Sequence, residues 1–113
     1  MTVDRRLINE AFSRLACELA FDRLAHDDGC LRRLAEANLN KMEAVGACSF
    51  SYVRRWREWL ALPLDEARRK ALADSEEALT MRSSSPFAGF LTDEERHALR
   101  ARAREIVSKR MTP

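Results

Sequence analysis

The chain has 113 residues, of which 46% are hydrophobic and 34% are charged, and its net charge is +2. This length predicts a single domain spanning residues 1–113. The hydrophobic content excludes bulk disorder, and the near balance of charges excludes an overall basic field for nucleic acid. Residues 49–113 carry thirteen basic and ten acidic side chains, a net charge of +3, so a local basic patch is permitted.

The composition favours helices throughout. Ala, Leu, Arg and Glu dominate, and there are only three Gly and three Pro. The four common residues are good helix formers, whereas Gly and Pro interrupt helices. No segment shows the alternation of apolar and polar residues that marks a strand. We therefore predict an all-α protein, a compact single-domain bundle of about five helices.

The first two predicted helices span residues 3–26 and 30–44. In the first, apolar residues recur at spacings of three and four and form a stripe of Ile8, Phe12, Leu15 and Leu19. Asp27, Asp28 and Gly29 end this helix. The second helix has an apolar side made of Leu31, Leu34, Ala35, Asn38, Leu39 and Met42. Gly46 is a natural stop for it.

The third predicted helix spans residues 50–61, begins at a cap formed by Ser49 or Ser51, and is closed by Pro63. We expect Trp56 and Leu60 to face the bundle. A fourth helix is predicted over residues 65–82, with a bend at residues 74–75. Residues 83–86, three serines and a proline, then form a turn.

The last predicted helix runs from residue 93 to about residue 110. Thr92 and Glu95 have the spacing of a capping box, in which each side chain bonds the other residue's backbone N–H. Five residues are predicted to point inward: Ala98, Leu99, Ala103, Ile106 and Val107. The outer side carries a row of Arg96, Arg100 and Arg104, which is typical of a solvated face and could also meet an acidic partner.

The cysteines predict no covalent or metal chemistry. Cys17, Cys30 and Cys48 are odd in number and form no Cys-x-x-Cys pair. Charged residues interrupt the early apolar runs, and no run is long enough to cross a membrane, so neither a secretory leader nor membrane contact is expected. We expect a reduced, cytoplasmic protein whose cysteines are small core residues.

No combination of residues predicts an active site. His26 and Cys30 are four residues apart, but a zinc site needs four nitrogen or sulfur ligands, and His26 is better explained as a helix C-terminal residue. Neither histidine stands at a motif spacing from a nucleophile, and the three glycines are isolated. We therefore expect no metal, no cofactor and no enzymatic activity.

Residues 44–61 suggest an alternative function, that of a DNA-binding regulator. A glycine turn at Gly46 precedes a serine-capped helix that carries Arg54, Arg55 and Arg57. This order resembles a helix-turn-helix, whose second helix presents arginines to the DNA. The distance from Gly46 to Val53 is one residue longer than the common pattern, and two tryptophans lie among the arginines.

The leading prediction is instead a non-enzymatic protein that binds another protein. Arginine and aromatic residues are enriched where partners bind most strongly. The predicted partner surface combines Arg54, Arg55 and Arg57 with Phe87 and Phe90 of the loop after Pro86. The two phenylalanines could alternatively close the end of the bundle. The sequence leaves the oligomeric state open, a homodimer included.

Residues 52–96 carry a longer pattern: Tyr52, Trp56 and Leu60 at four-residue spacing, then Leu79-x-Met81-Arg82-x-x-Ser85-Pro86-Phe87-Ala88-Gly89-x-Leu91 and Glu95-Arg96. This pattern resembles a group of small uncharacterised bacterial helical proteins. Such proteins are often encoded beside a nucleotidyltransferase-like protein, in the manner of toxin–antitoxin pairs. The resemblance implies a partner-binding, antitoxin-like role and no known active site.

Overall fold

The computed structural model describes residues 5–26, 29–46, 50–87 and 89–111. These ranges contain six helices: α1 (Arg5–His26), α2 (Cys30–Val45), α3 (Phe50–Leu60), α4 (Leu64–Ala71), α5 (Glu76–Ser83) and α6 (Asp93–Met111). They contain no strand, which confirms the predicted all-α bundle. The count is six rather than about five because the predicted fourth helix is divided into α4 and α5.

The division falls at the predicted bend. The Ser75 hydroxyl accepts a hydrogen bond from the backbone N–H of Ala78 at 3.1 Å, so Ser75 caps a new helix. The end of α4 is satisfied by side chains from elsewhere in the fold, since Arg14 donates to the carbonyl of Leu72 and Arg82 donates to the carbonyl of Ala71. With both ends satisfied, two short helices replace one long helix.

Helix α1 is the centre of the bundle and packs against α2, α4, α5 and α6. Its buried residues are Cys17, Ala20 and Phe21, whereas the predicted stripe of Ile8, Phe12, Leu15 and Leu19 is only half-buried. Cys17 lies ~140° around the helix from Phe12 at 100° per residue. A helix with neighbours on several sides buries more than one stripe, and the side that includes Phe12 contacts Arg100 of α6.

The core is built on aromatic rings. Trp56 is fully buried, and its indole N–H donates to the carbonyl of Met81 at 3.0 Å. Its ring meets those of Trp59 and Phe87 edge to face, with centroids 5.3 Å and 5.8 Å apart, and Phe87 meets Phe21 at 5.9 Å. The prediction that Trp56 and Leu60 face the bundle is therefore confirmed.

Helix α6 begins as predicted but presents a narrower inner side. The backbone N–H of Thr92 donates to the Glu95 carboxylate at 2.9 Å, and the N–H of Glu95 donates to the Thr92 hydroxyl at 3.1 Å, which confirms the capping box. Ala103 and Val107 are buried, but Ala98 is exposed, contrary to the prediction. Ala98 lies ~140° around the helix from Ala103, outside the side that faces α1.

The cysteines occupy different environments. Cys17 is buried, as predicted, and this burial raises the pKa of its thiol from an ordinary value of 9.0 to about 12. Cys30 is exposed, contrary to the prediction, because it begins α2 outside the buried stripe of Leu31, Ala35 and Leu39. Cys48 lies outside the described residues.

Two further predictions concern the end of α1 and whether any helix could cross a membrane. Helix α1 ends at His26, as expected for a basic residue in the last helical turn. None of the helices in the described ranges combines the length and the apolar character needed to cross a membrane.

Candidate functional site: an arginine-lined pocket

The three arginines of the predicted partner surface lie on the outer face of α3, and all are exposed. Arg55 forms ion pairs with Glu58 and Glu77. Arg57 pairs with the Glu43 carboxylate at 2.5 Å and donates to the Asn40 amide oxygen at 2.7 Å. Two of the three guanidinium groups are thus already engaged by side chains of the same chain.

The predicted loop residues have separate roles. Phe87 is only 3% exposed and closes the core against Phe21 and Trp56, so it offers no surface to a partner. This corrects its assignment as a partner contact and favours the reading of Phe87 as a plug. Phe90 is half-buried, and the Arg23 guanidinium lies over its ring at 5.4 Å. Part of Phe90 therefore remains accessible.

The fold does not bring the α3 arginines and this loop onto one surface. Trp56, which contacts Phe87, points into the core from α3, while Arg54 lies ~160° around the same helix. Arg54 and Arg57 line one depression, and Phe87 and Phe90 line another. The residues chosen from the sequence thus belong to two different regions of the surface.

The surface around the α3 arginines carries both positive and negative charges, which weighs against the helix-turn-helix alternative. Arg55 and Arg57 are flanked by the carboxylates of Glu43, Glu58 and Glu77. Carboxylates beside the arginines would repel the phosphates that a recognition helix has to approach. The turn that would join α2 to α3, residues 47–49, lies outside the described residues.

A different group of arginines lines a cavity of about 370 Å³ between α1, α6 and the segment that joins α5 to α6. We call it the arginine pocket. Its polar lining residues are Arg82, Arg96, Arg100, Ser13, Ser83 and Ser85. Its apolar lining residues include Phe12, Phe87 and Phe90. Among the described residues, no carboxylate lines this pocket.

Arg82 is the fixed member of the pocket. It is only 6% exposed, and its Nη1 donates to the carbonyls of Ala71 at 2.8 Å and Ala73 at 3.1 Å. Burial, and then the neighbouring positive charge of Arg14, lower the pKa of Arg82. No other hydrogen bond of its guanidinium is formed within the described residues, so Nε and Nη2 remain as donors on a held side chain.

Arg100 and Arg96 reach the pocket from α6. The Arg100 guanidinium lies over the Phe12 ring at 4.6 Å and donates to the Asn9 amide oxygen at 3.3 Å, which holds it in one orientation. Arg96 is exposed, and it approaches Asp93 at 3.8 Å, at the limit of an ion pair. The pocket therefore combines two positioned guanidinium groups with one exposed group, that of Arg96.

A second depression of about 460 Å³ adjoins the arginine pocket and shares Ser13, Arg82 and Ser83 with it. Its other lining residues are Arg5, Arg6, Asn9, Glu10 and Leu79. We call the two depressions together the basic groove. Among the described residues, five arginines line the groove, against one carboxylate, that of Glu10.

The sequence contained a partial signal for this site. The row of Arg96 and Arg100 on the last helix, which the sequence suggests could meet an acidic partner, belongs to this site, whereas the sequence analysis assigns no binding role to Arg82 or Ser13. Arg82 follows Ala78 by four residues and Met81 by one, and both of those residues are buried. The position of Arg82 on the apolar side of a short helix is the signal in the sequence that this arginine has a specific role.

Comparisons with models of protein families, with curated proteins and with solved structures found no match to the chain.

Proposed function

We propose that the protein is a non-enzymatic binding protein and that it holds an acidic segment of another protein in the basic groove. The observation that carries this proposal is the charge of the groove. Arg5, Arg6, Arg82, Arg96 and Arg100 line it, and Glu10 is the one carboxylate among its described lining residues. Glu10 is itself paired with Arg6 at 3.2 Å. Like charges gathered in a depression concentrate an oppositely charged partner and speed its association.

Two arginines of the groove are held in place before a partner binds, which supports tight binding as well as long-range electrostatic attraction. Arg82 is held by two carbonyls, and Arg100 is held by Phe12 and Asn9. Side chains that are already ordered lose little conformational entropy when a partner binds. A guanidinium group also matches the two oxygens of a carboxylate with parallel hydrogen bonds.

Apolar residues in the groove indicate which acidic segments fit best. Leu79 is 37% exposed and lines one end of the groove. Phe12, Phe90 and Leu91, all half-buried, line the other end. A segment in which acidic side chains alternate with apolar ones would satisfy both kinds of lining, because buried apolar contact and charge-assisted hydrogen bonds are the main sources of affinity at an interface.

The lining also supports a non-enzymatic role. A serine becomes a nucleophile when a base lies within hydrogen-bond reach. Among the described lining residues of the basic groove there is no imidazole or thiol, and the one carboxylate, that of Glu10, is paired with Arg6 at 3.2 Å. The resemblance of residues 52–96 to antitoxin-like proteins suggests that binding would serve to neutralise the partner.

The proposal is tested with a short fluorescein-labelled peptide that alternates glutamate and leucine, measured by fluorescence anisotropy at low salt. The groove variant is Arg96→Gln with Arg100→Gln. The matched control is Arg54→Gln with Arg57→Gln, which removes the same charge from α3. Charge-assisted hydrogen bonds contribute roughly 1.5–3 kcal/mol each, and less where exposed, so the groove variant should weaken binding at least about tenfold.

The control variant should bind the peptide like the parent protein. Equal weakening by both variants would mean that net charge alone attracts the peptide, and the groove proposal would fail. Duplex DNA is measured alongside the peptide. If DNA binds with steep salt dependence, is released by the control variant, and the peptide does not bind, the regulator alternative replaces the proposal.

A further inference from the structure

The arginine pocket has features that are not needed for binding an acidic segment of another protein. The free Nε and Nη2 donors belong to a side chain that is 94% buried, since Arg82 is 6% exposed. Arg100 meets the same cavity with a guanidinium that is stacked on Phe12. Among the described residues, no buried side-chain atom lacks a hydrogen-bond partner, so these two donors are accessible from the pocket, where an oxyanion could accept hydrogen bonds from them.

The balance of charge indicates the kind of anion. The pocket is lined by three guanidinium groups, and Arg96 has the exposed carboxylate of Asp93 at 3.8 Å. The carboxylates of Asp74 and Glu10 also act on Arg82, but they are already paired with Arg14 and Arg6. Counting each of these ion pairs as neutral leaves two uncompensated positive charges. A single carboxylate supplies one negative charge, whereas a phosphate monoester supplies roughly −1.5 to −2 at neutral pH and three acceptor oxygens.

The apolar lining residues indicate what carries the phosphate. The rings of Phe12, Phe87 and Phe90 line the cavity together with the arginines and serines. The volume of about 370 Å³ falls within the range of roughly 300–1,000 Å³ that small-ligand sites occupy. We propose that the arginine pocket binds a phosphate monoester carried on an aromatic group. The phosphate contacts Arg82, Arg96 and Arg100, and the aromatic group lies against the half-buried rings of Phe12 and Phe90.

This inference goes beyond the binding of an acidic segment and does not depend on it, because a free phosphate ester can fill the pocket without a protein partner. The same chemistry is offered by two sources: a phosphorylated tyrosine of a partner protein and a free aromatic phosphate. Both present a dianionic head on a flat ring, and the experiment distinguishes between them.

Isothermal titration calorimetry with phenyl phosphate, benzoate and inorganic phosphate tests the pocket in the intact protein. Phenyl phosphate should bind at least about tenfold more tightly than benzoate, because it makes more charge-assisted hydrogen bonds. It should also bind more tightly than inorganic phosphate, because the rings contribute. Equal affinities for phenyl phosphate and benzoate would overturn the proposal, and equal affinities for phenyl phosphate and inorganic phosphate would overturn the role of the rings.

The variant Arg100→Gln should weaken phenyl phosphate at least about tenfold. Arg104→Gln is its matched control, since Arg104 follows four residues later on α6, is exposed and does not line the pocket. Arg100→Lys should restore part of the loss, because it returns the charge without the fork of donors. Equal loss in the Arg100→Gln and Arg104→Gln variants would refute the site. Arg82 is left intact because it also holds the end of α4.

A tyrosine-phosphorylated peptide and its unphosphorylated form identify the source. If the phosphorylated peptide binds much more tightly than phenyl phosphate, the site takes a phosphorylated partner segment. If the two bind equally, the site takes a free phosphate ester. If phosphorylation leaves the peptide's affinity unchanged while phenyl phosphate binds, the site takes a free phosphate ester. If neither phenyl phosphate nor the phosphorylated peptide binds, the proposal fails, whatever the result with the unphosphorylated glutamate–leucine peptide.

Discussion

Replacing Trp56 with alanine is expected to remove a large part of the stability of the protein. Trp56 is fully buried and contacts Trp59 and Phe87 through edge-to-face ring pairs. Truncation of a buried aromatic residue costs about 3–5 kcal/mol. The Met81 carbonyl also loses the indole donor that lies 3.0 Å away, which adds about 1 kcal/mol. We therefore expect a loss near the upper end of that range.

Such a loss is comparable to the whole stability of a small domain, which is about 5–15 kcal/mol. The milder variant Trp56→Phe therefore belongs in the same experiment. It keeps an aromatic ring in the core and removes the indole N–H, so a loss of about 1–2 kcal/mol is expected. The assay is urea-induced unfolding followed by far-ultraviolet circular dichroism, with Trp59 fluorescence as a second probe.

A matched control comes from the opposite side of the same helix. Arg54 is exposed, so Arg54→Ala should change the free energy of unfolding by less than about 0.5 kcal/mol. The packing argument would be refuted if the unfolding curve of Trp56→Ala overlaid that of the parent protein. Trp56 would then have to lie at the surface, where it would be a candidate for partner binding.

Two further predictions concern the cap of α6 and the buried thiol. Thr92→Ala should destabilise the protein by about 1 kcal/mol in urea unfolding, because it removes the hydroxyl that accepts the Glu95 N–H. Thr80→Ala removes a threonine hydroxyl that donates to the Glu76 carbonyl inside α5 and caps no helix end, so it should have little effect, and equal losses from both variants would refute a stabilising role of the cap. Burial raises the pKa of Cys17 from 9.0 to about 12 in the folded protein. Between pH 9.0 and pH 12 the folded protein therefore keeps a proton that the unfolded chain loses, so the free energy of unfolding should fall by ~1.4 kcal/mol per pH unit. Cys17→Ala should flatten that fall when unfolding is measured across the range, and an unchanged slope would refute the assignment.

The sequence by itself determined features that depend on neighbours a few positions apart. The capping box joins Thr92 to Glu95 within one helical turn, so its residue types alone predict where α6 begins. The apolar stripe of α2 was equally readable, since Leu31, Ala35 and Leu39 follow the helical period and all are buried. The bend at residues 74–75 was also visible, because serine is a favoured cap.

The tertiary structure decided which of several similar residues is buried and which residues meet. Periodicity cannot choose between two sides of α1, because that choice depends on the four helices packed around it. It cannot separate Phe87, which closes the core, from Phe90, which is half-exposed in the same loop. The arginine pocket joins Ser13, Arg82 and Arg100, three residues far apart in the chain. They come together because of the way α1, α5 and α6 pack against one another. A local pattern of residues does not show which residues that are distant in the chain come into contact.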